Sequence, residues 1–439
     1  MSGFAVISQG RALIGEIRRQ QVMDVVRTAA FIGALLLAWI SLRPFVDLRE
    51  QELKDSTAAG NETMTYLVFG GLTVLTMLLA MRDSLRGLGT LLSPGYVLFA
   101  GWTAAVGVLL STDPSTSLKR FALTACVTSV AAMLMLLPKS QQELARWLGT
   151  AALILLAACY LGILFAPHLA MHTAFDTQEP HLAGDWRGVF GHKNVAAAVM
   201  AMLLFLGIYV TRAGARLLGT AVIVLASLFL LKCAGKTSSG LIFVVLALTS
   251  LVTVIRSFRL RALVLLAPLV ILTLLSIGTV MSDQLAAIAK LLPLDTSFTG
   301  RTDIWAFSIQ ALQPKLLTGY GFAAFWGSGA IRNLPQGMEW TEYASHSHNG
   351  YLDTALSMGL PGMLLLIAVF VIVPLRDFHH AERGGNGGPL AMALLRIWLF
   401  GIYLSSLESF FLDRADPIWF TFLLAVFGLH YLARFRLRA

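Results

Sequence analysis

The chain has 439 residues, of which 57% are hydrophobic and only 13% charged, with a formal net charge of +9 at pH 7. A soluble domain carries nearer a quarter charged residues. Here the apolar excess falls in blocks of roughly 17–22 residues, the length that spans a hydrocarbon core. Lipid leaves no backbone group unpaired, so such blocks are helices, and the short alternating segments of a membrane β-barrel are absent.

In chain order, residues 8–24 come first. Arg11, Arg18 and Arg19 stand among Ala12, Leu13, Ile14, Ile17 and Val22, the pattern of an amphipathic helix lying in the membrane interface. The first apolar run begins near Arg27 with no small-residue cleavage site after it, so it reads as a span and not as a removable signal. Spans are predicted near 25–42, 64–81, 91–111, 120–138, 145–166, 192–212, 216–234, 239–256, 261–282, 355–374, 390–407 and 416–434. About twelve spans put both termini on one side. With their flanking residues, the loops on that side carry about 18 Lys/Arg against 6 Asp/Glu, and the opposite set about 14 against 18. Arg256-Ser-Phe-Arg259-Leu-Arg261 and the tail Arg434-Phe-Arg436-Leu-Arg438 are typical of the first set. The positive-inside rule then places both termini in the cytoplasm. The +9 charge therefore reports topology and not a nucleic-acid partner.

The expected class is an all-α, polytopic integral membrane protein. Residues 1–24 form a cytoplasmic or interfacial segment, 25–282 hold spans one to nine, 283–354 form a long periplasmic loop, and 355–439 hold spans ten to twelve and the basic tail. Long ordered loops are usually functional, so the outer face is where activity is expected. The run Gly384-Gly385-Asn386-Gly387-Gly388 reads as a flexible connector. Cys126, Cys159 and Cys233 lie singly in or at the ends of apolar blocks and read as small apolar fillers.

Three outer-face clusters carry polar chemistry. The first is Asp185-Trp186-Arg187-Gly188-Val189-Phe190-Gly191-His192-Lys193-Asn194, which leads into the sixth span. Arg, His and Lys at a helix start suit an anion, and equally suit interfacial anchoring. The second is Lys232-Cys233-Ala234-Gly235-Lys236-Thr237-Ser238-Ser239, a tight turn in which Lys232 snorkels and Lys236 is the better ligand candidate. The third is the long loop. It opens with Thr299-Gly300-Arg301-Thr302-Asp303-Ile304-Trp305, where Ile304, Phe307, Ala311 and Leu312 recur at helical spacing from about Thr302. Arg301 at a helix N-terminus opposes the macrodipole, which suits a bound anion or a pairing with Asp303 or another carboxylate. The loop closes with Ser345-His346-Ser347-His348-Asn349-Gly350-Tyr351-Leu352-Asp353. Histidine titrates near neutrality and suits proton transfer from a sugar hydroxyl. His346 and His348 share a face if extended and would ligate zinc, but no third ligand is evident nearby. Arg187, His192, Lys193, Lys236, Arg301 and His348 together describe a cationic cavity mouth fitted to a diphosphate. No Asp-x-Asp, Walker loop or strand-led GxGxxG points to nucleotide chemistry.

The motifs Arg187-Gly-Val-Phe-Gly-His192-Lys193-Asn194, Gly300-Arg301-Thr-Asp303-Ile-Trp305, Gly319-Tyr-Gly321, His348-Asn349-Gly350-Tyr351-Leu352-Asp353 and Gly359-Leu360-Pro361-Gly362, in this order, resemble the O-antigen ligase / Wzy polymerase superfamily, including exopolysaccharide polymerases of the ExoQ type. The resemblance runs from about residue 100 to 430. It implies a GT-C-like, metal-independent, inverting glycosyltransferase of the bacterial inner membrane with no cofactor. Its implied donor is an oligosaccharide on undecaprenyl diphosphate, and its acceptor a sugar hydroxyl on a lipid-linked repeat or on lipid A-core. Membrane lipids, and a chain-length regulator or export complex, are the other implied partners. By resemblance Arg301 binds the diphosphate, helped by Arg187 and Lys236. His348 activates the acceptor hydroxyl, with His192, Lys193, Asn194, Asp303, His346 and Asn349 around the substrates. Many relatives carry Ser-Arg where this chain has Gly235-Lys236-Thr237, and lysine lacks the bidentate fork of arginine. The motif wording leans towards a polymerase over a ligase. A transporter would want ionisable residues deep in its spans, of which Arg396 is the clearest. A scaffold in an export complex would not need the dense outer-face cations.

Overall fold

The computed structural model describes residues 2–49, 58–82, 84–177, 179–291, 298–326, 345–413 and 416–435. Among the described residues, thirteen helices build the bundle and its polar end: α1 Ser2–Ile40, α2 Ala58–Met81, α3 Pro94–Leu109, α4 Pro114–Leu134, α5 Gln141–Phe165, α6 Lys193–Arg212, α7 Arg216–Cys233, α8 Lys236–Val252, α9 Phe258–Leu275, α10 Arg301–Leu312, α11 Gly350–Arg383, α12 Pro389–Leu404 and α13 Pro417–Arg434. Among the described residues there is no strand, only an isolated bridge between Met171 and Trp186. Nine helices there are long and apolar enough to cross a membrane, and α3, α8 and α12 are shorter apolar helices. Each of the twelve predicted spans falls on one of these twelve, so the chain is a multi-pass membrane protein.

Some boundaries differ from expectation. Residues 8–24 are not a separate interfacial element: α1 runs unbroken from Ser2 through the first span. Within the predicted loop 283–354 lie a short helix Asp283–Lys290 and α10, while 292–297 and 327–344 fall outside the described residues. So do residues 436–439 of the basic tail.

Burial sorts the bundle into an inside and an outside. The membrane-length windows of α13 and α6 are 83% and 72% buried, and every residue from Leu390 to Leu404 of α12 is buried. The windows of α2 and α9 are only 22% and 17% buried, so their remaining surface is apolar and faces lipid. Arg396, inside α12, bonds the Thr249 hydroxyl at 3.3 Å and meets no carboxylate among the described residues, unlike the paired relay of a proton-coupled transporter. Cys159 and Cys233 are buried free thiols.

The two ends of the bundle differ. At one, Asp24 pairs with Lys139, Asn386 caps Leu432 and Phe435, and Arg434 and His430 share Asp377. At the other, the starts of α6, α11 and α13 meet the ends of α1 and α12. That second end is where the predicted polar clusters converge.

A break in α11 positions them. Gly359 has φ 71° and ψ 176°, which interrupts the helical hydrogen bonds. The freed carbonyls of Leu356 and Ser357 accept from Tyr320 (2.7 Å) and Gly321 (3.1 Å), and the Leu360 N–H donates to Leu316 O at 2.8 Å. The Gly319-Tyr-Gly321 turn is thus stitched into the kink. A Cβ on Gly359 would lie 2.3 Å from the Leu317 backbone, and one on Gly319, at φ 64°, 2.5 Å from Leu356 O. Only glycine fits either place. Gly359→Ala and Gly319→Ala should each destabilise the protein by at least about 1–3 kcal/mol. Gly70→Ala on α2, where a Cβ meets nothing within 4 Å, should leave it unchanged. Melting temperature in detergent checks this, and equal melting of all three variants would show that the kink does not depend on glycine.

Candidate active site at the α10–α11–α12 junction

The first turn of α6 is built by its preceding loop. His192 caps the helix: its Nδ1 accepts from the Asn194 N–H at 3.1 Å, which leaves Nε2 to donate to Glu179 Oε2 at 2.8 Å. That hydrogen bond holds the Glu179 carboxyl below the usual carboxylate range. Lys193 Nζ pairs with Asp185 Oδ2 at 2.5 Å, and its backbone N–H donates to His172 Nε2 at 3.3 Å. His172 is itself held by Asp176 at 2.9 Å, and burial lowers its pKa. Arg187 is fully buried, and its guanidinium donates to the carbonyls of Phe190 (3.0 Å) and Val46 (2.6 Å). The predicted cluster is therefore coherent, but Arg187, His192 and Lys193 are each engaged by protein groups. Asn194 alone reaches across, and its Nδ2 donates to Glu408 Oε1 at 3.2 Å.

Glu408 is the residue that sequence reasoning missed. It lies four residues past the end of α12 and is approached from three elements. Arg301 Nη2 donates to its Oε1 at 2.7 Å, while Nη1 donates to the carbonyl of Leu407. His348 Nδ1 lies 3.2 Å from its Oε2. Burial alone would push the Glu408 carboxyl up, but the hydrogen bond from His348 and the charge of Arg301 outweigh it and hold it down at about 2. The stability this contributes is complete above the ordinary carboxylate range and is lost only as pH falls towards about 2. The carboxylate is thus ionised at any pH at which the protein would be assayed. Of the two pairings open to Arg301 from sequence, the carboxylate partner is present, and it is Glu408 and not Asp303. Asp303 sits exposed in the first turn of α10, where its charge favours the helix dipole.

The loop 345–349 is held just as firmly. Asn349 caps α11 by accepting from Leu352 N–H at 3.0 Å, and its Nδ2 donates to Ser406 O at 2.8 Å. Gly350 N–H donates to Ser405 O at 2.8 Å, so the start of α11 and the end of α12 are bolted together beside Glu408. The Ser347 N–H donates to both Asp353 oxygens, and Trp305 Nε1 donates to Ser347 O at 3.0 Å. His348 takes a left-handed φ of 53°, uncommon for a residue with a Cβ, and its N–H donates to His346 Nδ1 at 3.2 Å. The two rings meet edge to face at 4.2 Å. Burial, then the charge of His348, lowers the His346 pKa, in keeping with an Nδ1 that accepts from the His348 N–H.

Two features leave room for an anion. α10 begins at Gly300, which supplies no side-chain cap to the first-turn N–H groups. Lys236, the first residue of α8, is exposed and has no ion pair or hydrogen bond among the described residues. Gly235 lets it approach α6, since a Cβ there would lie 2.4 Å from Ala197 Cβ. Among the described residues no hydrogen bond or ion pair joins Lys236 to the Glu408 cluster.

Glu408 was detectable in principle, as a carboxylate just past the end of an apolar helix.

Residues 199–367 match the family described as O-antigen ligase, a segment that holds Lys236, Arg301, Asp303, His346, His348 and Asn349. The exopolysaccharide production protein ExoQ of Rhizobium meliloti (strain 1021) is 32% identical over 80 residues. That alignment covers 18% of this chain and 18% of the ExoQ sequence. The similarity to the family described as O-antigen ligase thus rests on residues 199–367, less than half of the chain.

Proposed function

We propose that the protein is a glycosyltransferase of the bacterial inner membrane that moves an oligosaccharide from undecaprenyl diphosphate to a sugar hydroxyl at the periplasmic face, and so extends polysaccharide repeat units. The observation that carries the reading is the convergence of Arg301, His348 and Asn194 on the single carboxylate of Glu408. A carboxylate that accepts from His348 Nδ1 fixes the ring tautomer and leaves Nε2 free to take a proton. Nε2 accepts the proton of the acceptor hydroxyl as its oxygen forms the bond to the anomeric carbon. The bond from that carbon to the diphosphate breaks, and its electron pair leaves with the diphosphate. Attack from the face opposite the leaving group inverts the anomeric centre. The diphosphate binds between the uncapped start of α10, Arg301 and Lys236, whose charges serve in place of a metal ion. Asn349, Arg187, His192 and Lys193 are positioning residues that hold the two helix starts in register. The basic bias of the loops on the termini side supports periplasmic exposure of this end. The similarity to ExoQ, an exopolysaccharide production protein by name, favours chain extension.

The decisive experiment is reconstitution with undecaprenyl diphosphate-linked repeat units in EDTA, with products separated by size. A ladder of longer lipid-linked chains is expected. Transfer only after addition of lipid A-core would make the protein a ligase, and transfer to neither acceptor would sink the reading. In the same assay His348→Ala should lower kcat by about 10²–10⁴, the contribution typical of a positioned base. Glu408→Gln should fall by a similar factor with the donor KM retained; if it keeps wild-type kcat, the carboxylate does not orient the base. Arg301→Lys should remain badly impaired because lysine cannot hold Leu407, Glu408 and a phosphate together. Full activity would reduce Arg301 to a point charge.

A further inference from the structure

Beside this site, and unused by it, is an open cavity of about 450 Å³ bordered by the end of α1, the start of α2, the turn before α6 and the start of α13. Its size is that of a pocket for a small organic ligand. Its walls carry Tyr66, Phe190, Asp413 and Asp416, with Arg43 also on the lining. Burial and then the charge of Asp413 push the Asp416 carboxyl up to about 8, so the lining sets the single cation Arg43 against Asp413, which disfavours a diphosphate. Carboxyl groups that exchange hydrogen bonds with hydroxyls, beside aromatic rings that cover C–H faces, suit a sugar that is neutral or bears an amine.

The position matches that chemistry. Asn194 and Val195 are neighbours on the first turn of α6: Asn194 turns to Glu408, and Val195 lines the cavity together with Gly191. Asp413 follows Glu408 by five residues along one short connection. The catalytic cluster and the cavity are thus the two flanks of one helix start. The cavity wall is also under backbone tension. Ser41 and Phe45 both take left-handed φ values, 64° and 59°. The stretch is clamped by Arg187 donating to Val46 O and by Phe45 N–H donating to Val189 O. Such conformations persist where the surroundings over-determine them and cluster at ligand sites. The buried Arg187 finds its purpose here, as the clamp of the cavity wall.

We propose that this cavity is the acceptor subsite, which holds the terminal neutral or amino sugar of the acceptor glycan against Tyr66 and Asp416 while its hydroxyl is presented to His348. The proposal rests on the glycosyltransferase reading above. Asp416 caps α13 through Oδ1, which accepts from Ile418 and Trp419 N–H at 2.7 and 2.9 Å. Asparagine caps equally well, so Asp416→Asn replaces the carboxyl group and keeps the helix start. Tyr66→Ala removes the ring, and Tyr66→Phe keeps it.

The test is steady-state kinetics of the full-length protein in proteoliposomes, with donor and acceptor varied separately. Asp416→Asn and Tyr66→Ala are expected to raise the acceptor KM at least tenfold and leave the donor KM within twofold, with Tyr66→Phe between Tyr66→Ala and wild type. An unchanged acceptor KM in active variants overturns the proposal while the glycosyltransferase reading stands. A rise in donor KM alone also overturns it and assigns the cavity to the donor. If the wild type transfers nothing, the glycosyltransferase reading fails, and direct binding decides the cavity. The probe is then the repeat-unit oligosaccharide released by mild acid from the producing organism's own polysaccharide. Binding by wild type that is lost in Asp416→Asn upholds a sugar site, and absent or equal binding overturns it.

Discussion

A carboxylate at the end of an apolar helix has to be matched, because an unpaired charge there leaves the molecule with several kcal/mol of desolvation unmet. Glu408 is matched three times over, by Arg301 from α10, His348 from the loop before α11 and Asn194 from α6. Those partners come from positions 194, 301 and 348, so the side chain at 408 draws together more than two hundred residues of chain. The surrounding bonds reinforce this arrangement and do not compete with it. Asn349 to Ser406 O and Gly350 to Ser405 O fix the backbone on both sides of the carboxylate. The geometry of His348 follows from the need to satisfy Glu408, and its left-handed backbone is tolerated because the neighbouring cap and the Asp353 anchor leave it no other course.

The spanning helices were legible in the sequence because hydrophobic length is a local property. Twelve apolar blocks became twelve apolar helices, with ends shifted by a few residues. The motif around His348 and the one around Arg301 were legible too, as polar residues gathered at helix starts. What was not legible was pairing. Nothing in the wording of Arg187-Gly-Val-Phe-Gly-His192-Lys193 says that Arg187 is enclosed by carbonyls, that His192 spends both ring nitrogens on a cap and on Glu179, or that Lys193 is taken by Asp185. Each fact depends on a partner brought up by tertiary folding. Glu408 was hidden for the same reason. Its meaning comes from residues 60 and 107 positions earlier, and periodicity carries no information over such separations.

The pairing also changes how the cations are understood. Counted along the chain, the three polar clusters offer Arg187, His192, Lys193, Lys236, Arg301 and His348 as a pool of cationic side chains. In the folded protein, Lys193 and Arg301 are already neutralised by carboxylates, and Lys236 has no partner among the described residues. On the proposed reading, a diphosphate would meet Lys236, without a partner among the described residues, and Arg301, which it must share with Glu408. Whatever draws Arg301 away from Glu408 leaves that carboxylate more fully committed to His348, and linkage makes the effect mutual.

The break at Gly359 has a consequence of scale. A straight helix of the 34 residues from Gly350 to Arg383 would be about 51 Å long, against about 30 Å of hydrocarbon. The stretch from the break to Arg383 measures about 37 Å and is enough to cross on its own. The nine residues ahead of the break are surplus to that crossing and form a short stub folded against the Gly319–Gly321 turn. His348 and Asn349 stand at the tip of this stub, ahead of the stretch long enough to cross and not within it, so the break moves them off the crossing segment without ending the helix that carries them.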